Sequence, residues 1–212
     1  MSDARFLVAT RNPGKLRELR TIFARHDIEI TDLTEAGIAE TADEESIESW
    51  PTFEENALAK AQYFQSRTGL PTFADDSGLS VDALGGRPGV RSKRFSGRTD
   101  LTGRALDAAN NAALLAELRR MAVLPARASF ICAAAFADTN VTVVRTGTTA
   151  GSVVQQPRGF GGFGYDSHFL SDELEQTFGE ATEEAKLRVG HRGRAFRALL
   201  ESLTSESRGS LP

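Results

Sequence analysis

Arg5-Phe-Leu-Val-Ala-Thr-Arg-Asn-Pro-Gly-Lys-Leu-Arg-Glu18 decides the class of fold. Its first five residues are a short apolar run of the kind a buried strand needs, with a turn signal behind it. Asn12-Pro13 then supplies a helix N-cap followed by proline at the first helical position. Leu16, Leu19, Ile22 and Phe23 continue at helical spacing, which predicts a helix over about residues 13–24. A strand delivered directly into a helix opens an α/β chain.

Working outward, Ile28 to Thr31 reads as a second short strand and residues 35–49 as an irregular acidic excursion. Thr52 and Glu55 form a capping box ahead of a helix striped by Phe53, Ala57, Ala61 and Phe64, which Gly69 ends. Pro71 to Ala74 reads as a strand running into a turn at Asp75-Asp-Ser-Gly78, with another strand from Leu79 to Leu84. A long helix is predicted over about residues 101–121, with Leu101, Ala105, Leu106, Ala109, Ala113, Leu118 and Met121 inward. Strands follow at about 126–137, 141–149 and 150–155, then a glycine-rich run, an extended stretch near 163–170 and a last helix at about 192–203. Alternation followed by consecutive strands predicts an α/β fold: a mixed twisted sheet with flanking helices, in two lobes around a central substrate cleft. Residues 1–204 would be one domain, and residues 205–212 a flexible tail.

The chain has 212 residues, 40% apolar and 25% charged, enough for one sizeable core and ordinary for a globular protein. The net charge of −4 does not suggest a nucleic-acid surface, and the single cysteine, Cys132, excludes a disulfide framework or a multi-cysteine zinc site. Cys132 sits in an apolar run and reads as an inert core thiol. That run, Phe130 to Ala137, is far too short to span a membrane, and no leader is evident, so a cytoplasmic protein without membrane or nucleic-acid partners is expected. Charge is uneven. Between Asp27 and Glu55 there are 11 acidic residues and no lysine or arginine, which leaves 18 acidic against 25 basic, or +7, on the rest. A cationic body with an acidic stretch suits an anionic ligand with a metal between, or is simply a solvated acidic loop.

Five stretches carry candidate chemistry. Thr10-Arg11-Asn12-Pro13-Gly14-Lys15 combines a helix N-terminus with a lysine in the first turn, a phosphate cradle or plain capping. It is not a Walker A loop, because the preceding glycine and the following Ser or Thr are missing. Asp75-Asp76-Ser77-Gly78 offers a carboxylate that can hold Mg²⁺ or activate water, or an Asx-type turn. Asn56 and Lys60 share one helix face, either toward a phosphate or toward solvent. Gly159, Gly161 and Gly164 satisfy a dinucleotide fingerprint by pattern, but no helix opens there, so Phe160, Phe163 and Tyr165 are read as an aromatic wall for a base or as core. Lys186 and His191-Arg192 can donate to carbonyl oxygens or decorate a helix start.

In order along the chain, Ala9-Thr-Arg-Asn-Pro-Gly-Lys-Leu-Arg-Glu18, Phe53-Glu-Glu-Asn-Ala-Leu-Ala-Lys-Ala61, Ala74-Asp-Asp-Ser-Gly-Leu79 with Gly85-Gly-Arg-Pro-Gly-Val90, Gly162-Phe-Gly-Tyr-Asp166 and His191-Arg192 resemble the inosine triphosphate pyrophosphatase family. These are the Ham1-like pyrophosphatases of non-canonical purine nucleoside triphosphates. The resemblance spans about residues 5–203. It implies a two-lobed homodimer that uses Mg²⁺ to hydrolyse ITP, dITP and XTP to the monophosphate and pyrophosphate. It places the triphosphate on residues 10–15, makes Asp76 a metal ligand and proton acceptor with Glu48 as second metal carboxylate, and gives Lys15 and Lys60 to the phosphates. Asn56 and Ser77 then fall beside substrate, and Phe163, Gly164, Tyr165, Asp166, Lys186, His191 and Arg192 on the base. Trp50-Pro51, Lys93, Phe95, Ser167, Ala185 and Gly190 depart from the family's usual residues; none removes a proposed catalytic group, but Trp50-Pro51 weakens the Glu48 assignment and Gly190 loosens the base site. Two other readings stay open: a related pyrophosphatase for modified pyrimidine nucleotides, and a nucleotide sensor without catalysis.

Overall fold

A computed structural model describes residues 5–42 and 44–209. In chain order the elements are β1 (Phe6–Val8), α1 (Pro13–Ala24), β2 (Ile30–Asp32), α2 (Glu44–Ile47), α3 (Phe53–Thr68), β3 (Thr72–Val81), α4 (Gly103–Arg120), β4 (Ala126–Ala137), β5 (Thr142–Val153), β6 (Phe169–Ser171), α5 (Glu183–Val189) and α6 (His191–Gly209). Short 3₁₀ segments lie at Asp82–Leu84, Gly89–Arg94 and Asp166–His168. The strands form one six-stranded mixed sheet in the order β2-β1-β3-β4-β5-β6. β1 is parallel to β2 and β3, while β5 and β6 are antiparallel.

The chain divides into two compact units. The first comprises Met1–Asp76, Cys132–Gly147 and Arg192–Pro212, and the second Ser77–Ile131 and Thr148–His191. The first unit is centred on phenylalanines: Phe73 lies 4.7 Å from Phe23 and 4.9 Å from Phe136, ring centre to ring centre. The apolar stripe of α1 supplies Leu19, Ile22 and Phe23 to it, and Asn12 caps the helix as its sequence predicts. In the second unit Leu79, Val81, Leu114, Leu118, Phe130, Phe169 and Phe178 form the core, with Phe130 and Phe169 4.6 Å apart.

Several expectations change. Asp75-Asp-Ser-Gly78 is not a turn but the middle of one ten-residue strand. Turn-prone residues persist there because a neighbouring segment lies almost on the backbone: a Cβ at Gly78 would meet Ser92 Oγ at 2.4 Å and the Gly89 carbonyl at 2.5 Å. Ser92 Oγ in turn donates to that carbonyl and accepts from Leu79 N–H. The stretch 141–155 is likewise mostly one strand, β5. In α4 the buried face is Asn110, Asn111, Leu114, Leu115 and Leu118, while Ala105 and Met121 are exposed. Periodicity favours apolar side chains, but Asn110 is admitted because it bonds the backbone of Ser96 and Lys93. Helices α2 and α5 arise where none was predicted, α5 being capped by Thr182, and α6 extends past the expected stop. Residues 210–212, the end of the expected tail, lie outside the described residues.

Candidate active site

In the first unit a charged cluster grows from three elements. β3 carries Asp75 and Asp76, α3 carries Asn56 and Lys60 on its buried face, and the first turn of α1 carries Lys15. Asp75 is fully buried. Its Oδ2 lies 3.2 Å from Lys15 Nζ and accepts from Arg192 Nε at 3.1 Å. Burial alone would raise its pKa, yet Lys15, Arg192 and Lys60 hold the carboxyl well below the usual carboxylate range. Asp76 behaves oppositely. Burial pushes it up and outweighs Lys15 and Lys60, and the Glu48 and Asp75 carboxylates add to the rise. Lys60 is raised despite its burial, because Glu48, Asp75 and Asp76 surround it, and its ammonium donates to Glu48. One Asn56 amide N–H donates to Asp76 at 3.0 Å, and the same side chain ties down both backbone groups of Trp50. Lys60 and Asn56 are therefore not solvent-facing, and adjacent aspartates on one strand have been given different electrostatic surroundings.

The cradle residues divide their work. Asn12 Oδ1 accepts from the N–H groups of Gly14 and Lys15, and Thr10 Oγ1 accepts from Asn12 N–H, so capping uses these side chains. Pro13 occupies the first helical position and is exposed. Arg11 makes a two-pronged pair with Glu44 and donates to the Ile38 carbonyl. Arg192, expected beside a base, is buried against Asp75 and Glu18. Sequence reasoning missed Glu18. The signal was available, since an acidic residue next to Leu19 and four before Ile22 lies on a buried stripe and needs a cation. Cys132 is buried as expected, and its thiol, 3.8 Å from Asp75, is pushed up by burial.

The second unit carries the other expected residues. Asp166 Oδ2 accepts from Phe163 N–H at 2.8 Å and from Lys186 Nζ at 2.6 Å, and that ammonium lies 4.8 Å over the Phe163 ring. Gly162 must be glycine: its φ is +71°, and a Cβ would stand 2.0 Å from the Asp166 carboxylate. Tyr165 is buried and donates to the Ser92 carbonyl, and His191 stacks on Phe130 with ring centres 4.7 Å apart. Phe160 is 98% exposed, so Phe160, Phe163 and Tyr165 do not form one aromatic wall. Ser77 opens this unit, half-buried on β3.

Cations and carboxylates gathered on the middle of β3, the buried face of α3 and the first turn of α1 define an α/β protein with a charged site of the kind that suits phosphates. The chain belongs to the Ham1 family, whose model matches residues 6–202. It is 46% identical over 198 residues to a dITP/XTP pyrophosphatase of Frankia alni, covering 92% of this chain and 95% of the relative. A dITP/XTP pyrophosphatase of Nocardia farcinica is 45% identical over 208 residues, covering 97% of each chain. Among solved structures, a HAM1 protein from Coxiella burnetii superposes with a TM-score of 0.80 at 31% identity, covering 95% of this chain and 98% of the other. A nucleoside-triphosphatase, or dITP/XTP pyrophosphatase, from Mycobacterium abscessus gives 0.68 at 42% identity, covering 92% and 98%.

Proposed function

We propose that this chain hydrolyses ITP, dITP and XTP to the nucleoside monophosphate and pyrophosphate, removing deaminated purines from the nucleotide pool. The observation that carries the reading is the gathering of Lys15, Lys60 and Asp76 around Asp75 in one unit. A triphosphate needs several cations, and a water that attacks phosphorus needs an acceptor for its proton. Asp76, whose burial makes its carboxylate more basic, takes that proton at a carboxylate oxygen. The water oxygen bonds to the α-phosphorus, the bond to the bridging oxygen of the β-phosphate breaks, and pyrophosphate leaves toward Lys15 and Lys60. Asp75 keeps its charge throughout and fixes Lys15. Asn56 holds the Asp76 carboxylate in place.

Asp76 and Glu48 would also hold Mg²⁺. The fit is chemical: this ion takes one or two carboxylates and completes its shell with water and phosphate oxygens. The Glu48 carboxylate raises the proton affinity of Asp76, a repulsion that a divalent cation relieves. When bound, the ion supplies charge to the phosphates and acidifies a coordinated water.

Base selection falls to the second unit. The Lys186 ammonium, held against Asp166, and His191 are donor groups that suit a 6-keto oxygen, whereas the amino group of adenine would confront donors with a donor. Arg192 is less available for this, since Asp75 and Glu18 take its guanidinium. A homodimer, which light scattering would detect, and a cytoplasmic setting complete the proposal; no helix among the described residues is long and apolar enough to cross a membrane.

The test is a pyrophosphate-release panel over common and deaminated triphosphates, with and without Mg²⁺. Release from ITP, dITP and XTP far exceeding that from ATP, dependent on Mg²⁺ and abolished in Asp76→Asn while nucleotide binding survives, is the expected result. Preferential turnover of modified pyrimidine nucleotides would replace the substrate assignment, and binding without pyrophosphate at any Mg²⁺ concentration would make the chain a sensor.

A further inference from the structure

α4 lies in the second unit and had no functional residue assigned to it, yet it grips the segment 163–166 at one point from both sides. Gly164 N–H donates to Asp107 Oδ2 at 2.9 Å, and the Gly164 carbonyl accepts from Asn111 Nδ2 at 2.8 Å. Asp107 and Asn111 are four residues apart and so share one face of the helix. The same Asn111 amide nitrogen also donates to the Asp107 carbonyl, at 2.8 Å, which locks its rotamer. Asn111 is only 8% exposed, and its Oδ1 is buried with no hydrogen-bond partner among the described residues. An asparagine kept buried with half of its amide unsatisfied is costly as core filling, and an apolar residue would pack there with less loss. The half that is satisfied is the half that holds Gly164.

Fixing both the N–H and the C=O of one residue fixes the peptide planes on each side of it. Those planes carry Phe163 before Gly164 and Tyr165 after it. Gly164 has a φ of +63°, with nothing within 4 Å of a Cβ position, so close packing does not hold it. Its conformation is held by hydrogen bonds, and α4 provides two of them.

We propose that Asp107 and Asn111 are positioning residues for base recognition: they aim the Phe163 ring, and through it the Lys186–Asp166 pair, at a purine base. This rests on the reading above that residues 163–166 and Lys186 read the base. In steady-state kinetics with Mg²⁺, Asp107→Ala should raise KM for ITP about tenfold and cut the ITP-to-ATP ratio of kcat/KM by about tenfold, with kcat for ITP within about twofold; tenfold corresponds to about 1.4 kcal/mol. Inhibition by inorganic tripolyphosphate, which has no base, should be unchanged. Asp107→Asn should restore the ratio, because its amide oxygen still accepts the Gly164 N–H, and Asn111→Leu should lower it without lowering the melting temperature. An unchanged ratio in Asp107→Ala, a matched loss of tripolyphosphate binding, or an Asp107→Asn as damaged as the alanine variant would each overturn the proposal. Lys186→Met separates the two levels. If it alone lowers the ratio, the clamp is wrong and the base-reading assignment stands; if neither variant lowers it, the base-reading assignment itself fails.

Discussion

Arg192 places a guanidinium at 2% exposure between Asp75 and Glu18, and both carboxylates depend on it. A buried ion pair contributes little net stability beyond that of an apolar substitute, but removing one member strands the other charge. Arg192→Leu leaves Glu18 on the inward stripe of α1 without this counter-ion, and Asp75 then relies on Lys15 and Lys60. The expected cost is about 3–5 kcal/mol of unfolding free energy. Urea denaturation followed by circular dichroism checks it, and Glu18→Leu combined with Arg192→Leu should recover part of the loss, because the stranded charge leaves with its partner. A double variant no more stable than the single one would show that Glu18 does not carry the penalty. At this scale Lys15 and Asp76 stood out in the sequence as groups suited to phosphate chemistry, whereas the spacing of Lys60 left it facing either a phosphate or solvent, and only the family resemblance assigned it to the phosphates; its burial beside Glu48 is a finding of the structure. The division of labour between Asp75 and Asp76 was not legible, since it depends on Arg192 arriving from more than a hundred residues away.

Among the elements, β3 is where local signals and tertiary packing disagree most. Asp, Ser and Gly in sequence favour a turn, because each satisfies its own backbone locally. The observed strand overrides this, and Gly78 is needed for proximity rather than for a bend. Gly78→Ala should therefore cost about 1–3 kcal/mol, the usual range for overpacking a site that cannot yield, read as a lowered melting temperature. Ser92→Ala in the Gly78→Ala background should recover only part of this, since the Gly89 carbonyl, 2.5 Å from the added carbon, is backbone and stays. Full stability in the alanine variant would show that the close approach of Ser92 and Gly89 does not require a glycine at position 78. Elements with apolar stripes, α1 and α3, were legible from spacing because their cores are apolar. α4 misled because two of its inward positions are asparagines that make backbone bonds, and α2 and α5, at four and seven residues, are too short for periodicity to reveal.

Over the whole molecule, each unit carries its own lysine–carboxylate pair. The first unit pairs Lys60 with Glu48 beside the Asp75 and Asp76 carboxylates, and the second pairs Lys186 with Asp166 beneath an aromatic ring. If phosphate grip and base choice are separate functions, the two lysines should fail in different ways. Lys60→Met should lower kcat/KM for every triphosphate by about a hundredfold, roughly 2.7 kcal/mol, and leave the ITP-to-ATP ratio intact. Lys186→Met should lower the ratio by about tenfold and leave inhibition by tripolyphosphate intact. Because the two ammoniums have different carboxylate partners, the double variant's loss in transition-state stabilisation for ITP should equal the sum of the single losses to within about 0.5 kcal/mol. A much smaller combined loss would mean that one lysine works through the other. The substrate would then be recognised as a single charged shape, and discrimination between keto and amino purines would have to come from groups other than Lys186.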